Sequence, residues 1–164
     1  MSNDEQAIRE VLARYVRAAD RRDGVAMGSL FLPEGKVQIF YGRGETAELL
    51  GELVGRDAIA HAVTGLMEPH PEGGWSHHTT HDAVVEVDGD RAMIDAQYVV
   101  FQVRAHPKPA GGWPPSARGA QGTVTPIESG YYRASMVRVS GAWKIAAHRI
   151  DGDLPMAFPS GDGA

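Results

Sequence analysis

The chain has 164 residues, no cysteine, and a formal net charge of −5 from 16 basic and 21 acidic side chains. The length suits one domain, and the lack of cysteine excludes a disulfide scaffold, a thiolate metal site and a cysteine nucleophile. The acidic balance lacks the footprint of a nucleic-acid binder, and a hydrophobic share of 43% is too high for a disordered chain. No apolar run approaches the ~18 residues of a membrane helix. The polar opening Met1 to Gln6 is unlike a signal peptide, so a cytoplasmic location is expected.

Residues 4–22 read as an amphipathic helix, with Ile8, Val11, Leu12, Tyr15, Val16 and Ala19 at three- and four-residue steps. Ser2 and Glu5 have capping-box spacing, and Asp23-Gly24 stops the helix. A short helix is expected over 25–31, then a turn at Pro33-Glu34-Gly35 and an alternating strand from Lys36 to Tyr41. Gly42 to Gly55 shows no clear period, and Arg56 to Met67 reads as a third helix. After a loop, Trp75 to Val87 and Arg91 to Val103 form a strand pair joined at Asp88-Gly89; Glu128 to Val139 and Ala142 to Asp151 form another, joined at Ser140-Gly141. The linking segment 105–127 is rich in proline and glycine and has no acidic residue, which suits a functional loop. Residues 1–152 are expected to form the domain, with 153–164 an irregular tail. Helices grouped ahead of long antiparallel strands indicate an α+β fold with helices on one face of the sheet. A curled sheet of this kind makes a cone whose interior is a natural apolar pocket.

Three features can carry chemistry. Leu12, Val16 and Asp20 lie on one helix row, so Asp20 extends the buried stripe; it either reaches water, pairs with Arg21 or Arg22, or meets a buried partner. Tyr15 sits on the same stripe, where a buried hydroxyl needs a partner. The run Trp75-Ser76-His77-His78-Thr79-Thr80-His81-Asp82 holds three histidines. Strand alternation puts His78, Thr80 and Asp82 on one face and His77, Thr79 and His81 on the other, which disfavours a shared metal even with help from His148 or Asp151. A single inward histidine oriented by a carboxylate suits general acid–base chemistry better. No nucleophile elbow, P-loop or dinucleotide fingerprint occurs.

Three stretches resemble the SnoaL-like branch of the NTF2-like superfamily: Ala7 to Tyr15 with Ala19-Asp20-Arg21-Arg22-Asp23; His78-Thr79-Thr80-His81-Asp82 with Glu86 to Ala92; and Tyr131-Tyr132-Arg133 with Val139 to Ile145. The resemblance covers residues 4–151 and implies a cone of curved sheet with helices over its concave face. Within that superfamily the chain is most similar to the scytalone-dehydratase-like group, in which an Asp near the end of the first helix pairs with a His at the start of the first long strand. Asp20 and His78 stand at those positions, and Tyr15 stands five residues before the Asp, where bile-acid dehydratases of that group place a functional Tyr. Two departures stand out: Tyr98 or a neighbour lies where the group has a second His, and Ala19 replaces a tyrosine.

The resemblance implies a cofactor-independent, metal-free dehydratase-like lyase with His78, Asp20 and Tyr15 as catalytic residues. Its expected substrate is small, apolar and ring-containing, of steroid, polyketide or aromatic type, contacted by Tyr41, Trp75, Tyr98, Phe101 and Tyr131. The 105–127 segment, longer than the group's pattern, is a candidate lid over it. The alternatives are an isomerase or polyketide cyclase on the same dyad, or a non-catalytic binding or structural subunit. A homo-oligomer, dimer or trimer, without nucleic-acid or membrane partners is the expected assembly.

Overall fold

The computed structural model describes residues 3–158. Helix α1 spans Asn3–Arg21 and buries Ile8, Leu12, Tyr15, Val16, Ala19 and Asp20 along one side. It ends where Arg22 takes a left-handed φ of 56°. Asp23 then caps helix α2, Gly24–Ser29, by accepting from the Ala26 N–H at 2.9 Å. The expected Ser2 cap lies outside the described residues.

Strand β1 runs from Phe31 to Tyr41 and takes in the Pro33-Glu34-Gly35 stretch. That stretch interrupts the pairing: Phe31 faces Ile145 and the next matched pair is Lys36 with Ala147. The aperiodic segment holds a 3-10 turn, Gly44–Thr46, and strand β2, Glu48–Val54. A bulge at Leu50 breaks the alternation of β2, so its sequence shows no period. The third helix divides into α3, Arg56–His61, and a π-helical turn, Ala62–Leu66. Strands β3 (Gly74–Asp88), β4 (Arg91–Ala105), β5 (Gly122–Val139) and β6 (Ala142–Gly152) follow. Because β4 and β5 run further than their periodicity suggests, the linking loop shrinks to 106–121. At the β5–β6 turn, Ser140 and Gly141 have φ of 51° and 81°, the left-handed pair that a two-residue hairpin requires.

The six strands form one sheet in the order β2-β1-β6-β5-β4-β3, antiparallel except between β1 and β6. Bulges at Leu50, Asp82–Ala83, Ile127 and Ala146 curve it. The concave face carries Ile94, Ala96, Tyr98, Val100, Tyr132, Ala134, Met136 and Ile145, all buried against the helices. Full burial of each large apolar side chain here contributes about 1.5–3 kcal/mol. The outer face carries ion pairs, with Arg133 donating to Asp95 at 2.8 Å and Arg149 to Asp151 at 2.8 Å.

Gly130 lies on β5 against Asp151 and Gly152 of β6. Its φ is 157°, and an added Cβ would lie 2.1 Å from the Asp151 carbonyl oxygen and 3.0 Å from the Tyr98 ring. Gly130→Ala is therefore expected to lower stability by about 3 kcal/mol, read from the denaturation midpoint, because a backbone carbonyl cannot move aside as a flexible side chain can.

Candidate active site

The last turn of α1 and the start of β3 meet at one carboxylate. Asp20 is buried, and its Oδ1 accepts from the His78 imidazole Nδ1 at 2.6 Å. The backbone N–H of His78 also donates to both carboxylate oxygens, at 3.0 and 3.2 Å, and the Ser76 hydroxyl donates at 3.4 Å. The polar atoms of the helix end thus hold the strand in register. Arg22 does not take the Asp20 carboxylate: its guanidinium donates to the carbonyls of Ala19 and Glu68, at 2.7 and 2.9 Å. Partial burial lowers the Arg22 pKa, against the opposing pull of Asp20 and Glu68. The Asp20 carbonyl oxygen accepts from His70 Nε2 at 2.6 Å.

Three donors from His78 and Ser76 leave Asp20 acceptor-only, its ordinary role as a carboxylate. With Nδ1 donating to Asp20, the lone pair of His78 lies on Nε2. His78 lines the cavity between sheet and helices.

That cavity has a volume of about 620 Å³. Its walls are Ala19, Met27, Ile59, Val63, Leu66 and Met67 from the helical layer and Val37, Ile39, Leu53 and Ile150 from the sheet, with Met156 and Phe158 from the residues after β6. Few polar side chains enter it, which is the usual character of a small-molecule pocket. Tyr15 is one of them. Its ring lies 4.2 Å from that of His148 and edge-on to Tyr132 at 5.8 Å. Burial, helped by the charge of Glu128, pushes the Tyr15 phenol well above its ordinary pKa, so it remains a proton donor at neutral pH.

The other expected site residues lie elsewhere. Tyr41, Trp75, Phe101 and Tyr131 do not line the cavity. Tyr41 is exposed on the last residue of β1, and Trp75 is partly exposed and packs on His70 at 4.5 Å, bracing the contact to Asp20. The β4–β5 bulge at Ile127 changes the pairing beside Phe101. Tyr131 points to the outer face, where the Arg43 guanidinium covers its ring. Its neighbour Tyr132 faces inward, because adjacent strand residues take opposite sides. Tyr98 is 1% exposed and lies behind the wall, stacked on Tyr132 at 4.1 Å. None of residues 105–127 lines the cavity, whereas Met156 and Phe158, which follow β6, do.

Asp82 does not share the inward face with His78. It takes a φ of 50° at the β3 bulge, is exposed, and pairs with His81 at 3.1 Å. His77 is exposed too. His148 is fully buried, with both ring nitrogens lacking a hydrogen-bond partner, and desolvation lowers its pKa to about 3. Among the described residues no three His, Asp or Glu side chains come together as a metal-ligand set.

Glu128, which sequence reasoning passed over, does line the cavity. It accepts from the Tyr98 hydroxyl at 3.0 Å. Its signal was strand alternation: Glu128, Gly130, Tyr132, Ala134 and Met136 are every second residue of β5, and four of them face the buried side.

A family model for the SnoaL-like domain matches residues 1–149. No curated protein matches. Among solved structures, an NTF2-like protein with a cystatin-like fold from Novosphingobium aromaticivorans is 25% identical, covers 91% of this chain and 81% of its own, and superposes with a TM-score of 0.65. A beta subunit of a candidate aromatic-ring-hydroxylating dioxygenase from the same organism is 18% identical, with coverage of 92% and 90% and a TM-score of 0.68. A candidate dehydratase of the NTF2-like family from Streptomyces avermitilis is 15% identical, with coverage of 93% and 97% and a TM-score of 0.60. The curved sheet, its three covering helices and the family match together identify the chain as a member of the SnoaL-like domain family, with the NTF2-like fold.

Proposed function

We propose that this protein is a cofactor-independent lyase of dehydratase type, acting on an apolar ring substrate through the Asp20–His78 dyad. The observation that carries the reading is the 2.6 Å contact between His78 Nδ1 and Asp20, with His78 on the wall of a largely apolar cavity. Nε2 of His78 takes a proton from carbon next to a carbonyl. The electrons of that C–H bond form the new C=C bond, and the C–O bond at the β-position breaks. The proton held by His78 leaves with the hydroxyl as water. Asp20 fixes the imidazole tautomer and balances the positive charge that develops on it. Tyr15 donates to the substrate oxygen on which negative charge grows. The apolar walls limit water, which strengthens these charge interactions.

Hydroxylated ring ketones and thioesters, screened by mass spectrometry for loss of one water, test the reading; no loss across a panel that binds in the cavity would sink it. Tyr15→Phe is expected to lower kcat on the order of 10²-fold with little change in KM, the pattern of a donor that matters most in the transition state. An unchanged kcat would remove Tyr15 from the chemistry. Product analysis separates this reaction from an isomerase or cyclase on the same dyad, which would leave the mass unchanged.

A second reading is a non-catalytic subunit. It is supported by the likeness in fold to the dioxygenase beta subunit. Co-purification with a large iron-containing partner would favour it.

A further inference from the structure

The concave face carries a cross-strand row that includes both His78 and Glu128. His78 on β3 pairs with Val100 on β4, and Val100 pairs with Glu128 on β5. Val100 is buried on the inner side, and the two flanking residues line the cavity. Their backbones stand two strand spacings apart, about 10 Å. Val100 itself does not line the cavity, so a ring system that touches both residues reaches from one to the other through the cavity space in front of it.

Glu128 is half-buried and brings a carboxylate to an otherwise largely apolar wall. One partner is built in: the Tyr98 hydroxyl, itself fixed by stacking on Tyr132, donates to Oε1 at 3.0 Å. Oε2 takes no hydrogen bond from a described residue. A carboxylate has about four lone-pair sites, so most of its acceptor capacity is unused by the fold. Tyr98 also fixes the direction of the carboxylate, because one oxygen is held against β4. The nearby tyrosines cannot compete as anions: Tyr15 and Tyr132 both have pKa values raised by burial and further by Glu128.

We propose that Glu128 is a substrate anchor: it accepts a hydrogen bond from a hydroxyl on the ring substrate, at the end of the ligand away from His78. This rests on the lyase reading above and narrows its substrate class to ring compounds with a second donor group, a phenol or ring alcohol, about one fused-ring length from the reacting carbon. Tyr98 is a positioning residue for that anchor.

The test needs no turnover. Binding of 1-hydroxypyrene and of 1-methoxypyrene is measured by fluorescence titration at neutral pH, with wild-type protein, Glu128→Gln and Tyr98→Phe. The wild type is expected to prefer the hydroxyl probe about tenfold, the usual scale for a hydrogen bond to a charged group. In Glu128→Gln, where Tyr98 still donates to the side-chain oxygen and the amide faces the cavity as a donor, the preference is expected to fall to about threefold or less. Tyr98→Phe is expected to give an intermediate ratio, with the circular dichroism spectrum unchanged. A preference that survives Glu128→Gln means that the donor is read elsewhere and overturns the proposal. Equal binding of both probes to the wild type overturns the anchor and leaves the dyad reading standing. Failure of both probes to bind overturns the anchor together with the ring-substrate reading.

Discussion

His78→Asn is expected to lower the dehydration rate about 10²–10⁴-fold while leaving the fold intact. The choice of asparagine matters. Its amide nitrogen can reach the position of Nδ1 and keep a donor against Asp20, which accepts from that atom at 2.6 Å. It has no nitrogen with the basicity of Nε2, so only the proton acceptor is lost. His78→Ala is the rougher test, because it leaves a buried carboxylate with one donor fewer, a change that costs about 1–3 kcal/mol in stability. Asp20→Asn is expected to lower the rate on the order of 10²-fold or more. The neutral amide no longer balances the imidazolium and can hold the ring in the wrong tautomer. The checks are steady-state kinetics on the first ring compound that loses water, with thermal melts in parallel. Wild-type kcat in His78→Asn, with the fold intact, would remove the dyad from the mechanism.

Loss of stability toward acid is expected to be governed in part by His148. Its ring is fully buried between Tyr15 and Tyr132, at 4.2 and 4.9 Å, and its pKa falls from 6.5 to about 3 through desolvation. Below pH 6.5 the unfolded chain takes a proton at this residue that the folded chain refuses. Folding therefore loses stability as the pH drops from 6.5 toward 3, by about 1.4 kcal/mol per pH unit. At pH 5 the loss is about 2 kcal/mol. His148→Met keeps a side chain of similar size, adds a favourable sulfur–aromatic contact, and cannot titrate. It also removes two buried nitrogens that lack partners. Urea unfolding at pH 7 and pH 5 is expected to show the difference between the two pH values shrinking by about 2 kcal/mol in His148→Met. An identical pH dependence in both proteins would mean that His148 is not the titrating group.

The contrast between these residues shows what the sequence could convey. The stripe Ile8, Leu12, Tyr15, Val16, Ala19 has a helical period, so α1 and the inward position of Asp20 were legible. Gly89, Ser140 and Gly141 marked the hairpin turns, and their left-handed φ angles are the physical content of that signal. Alternation separated His78 from His77 and His81, and the resemblance paired it with Asp20. The errors came where an added residue shifts the period of two. The bulge at Asp82 turned that carboxylate outward, and the bulge at Leu50 hid β2. A bulge depends on cross-strand pairing, which no local window contains.

The aromatic contacts failed for another reason. Tyr131 and Tyr132 are adjacent on one strand, and only one can face the cavity. The apolar pair Ala134 and Met136 settles the parity in favour of Tyr132, and the same count brings Glu128 inward. Trp75 was expected in the pocket, yet it packs on His70. The cavity's remaining walls, Met27, Ile59 and Val63 from short helices and Met156 from the tail, meet only through the tertiary fold.

The central claim is that His78, held by Asp20, takes a proton from carbon inside this cavity. The direct measurement is NMR-detected deuterium exchange, in D₂O, at the carbon beside the carbonyl of cyclic ketones that bind but lack a hydroxyl to eliminate. Proton abstraction is then observed without any need for the rest of the reaction. The account predicts exchange well above background with the wild type and background exchange with His78→Asn and Asp20→Asn. Background exchange in the wild type with ketones that demonstrably bind, or undiminished exchange in His78→Asn, would contradict it.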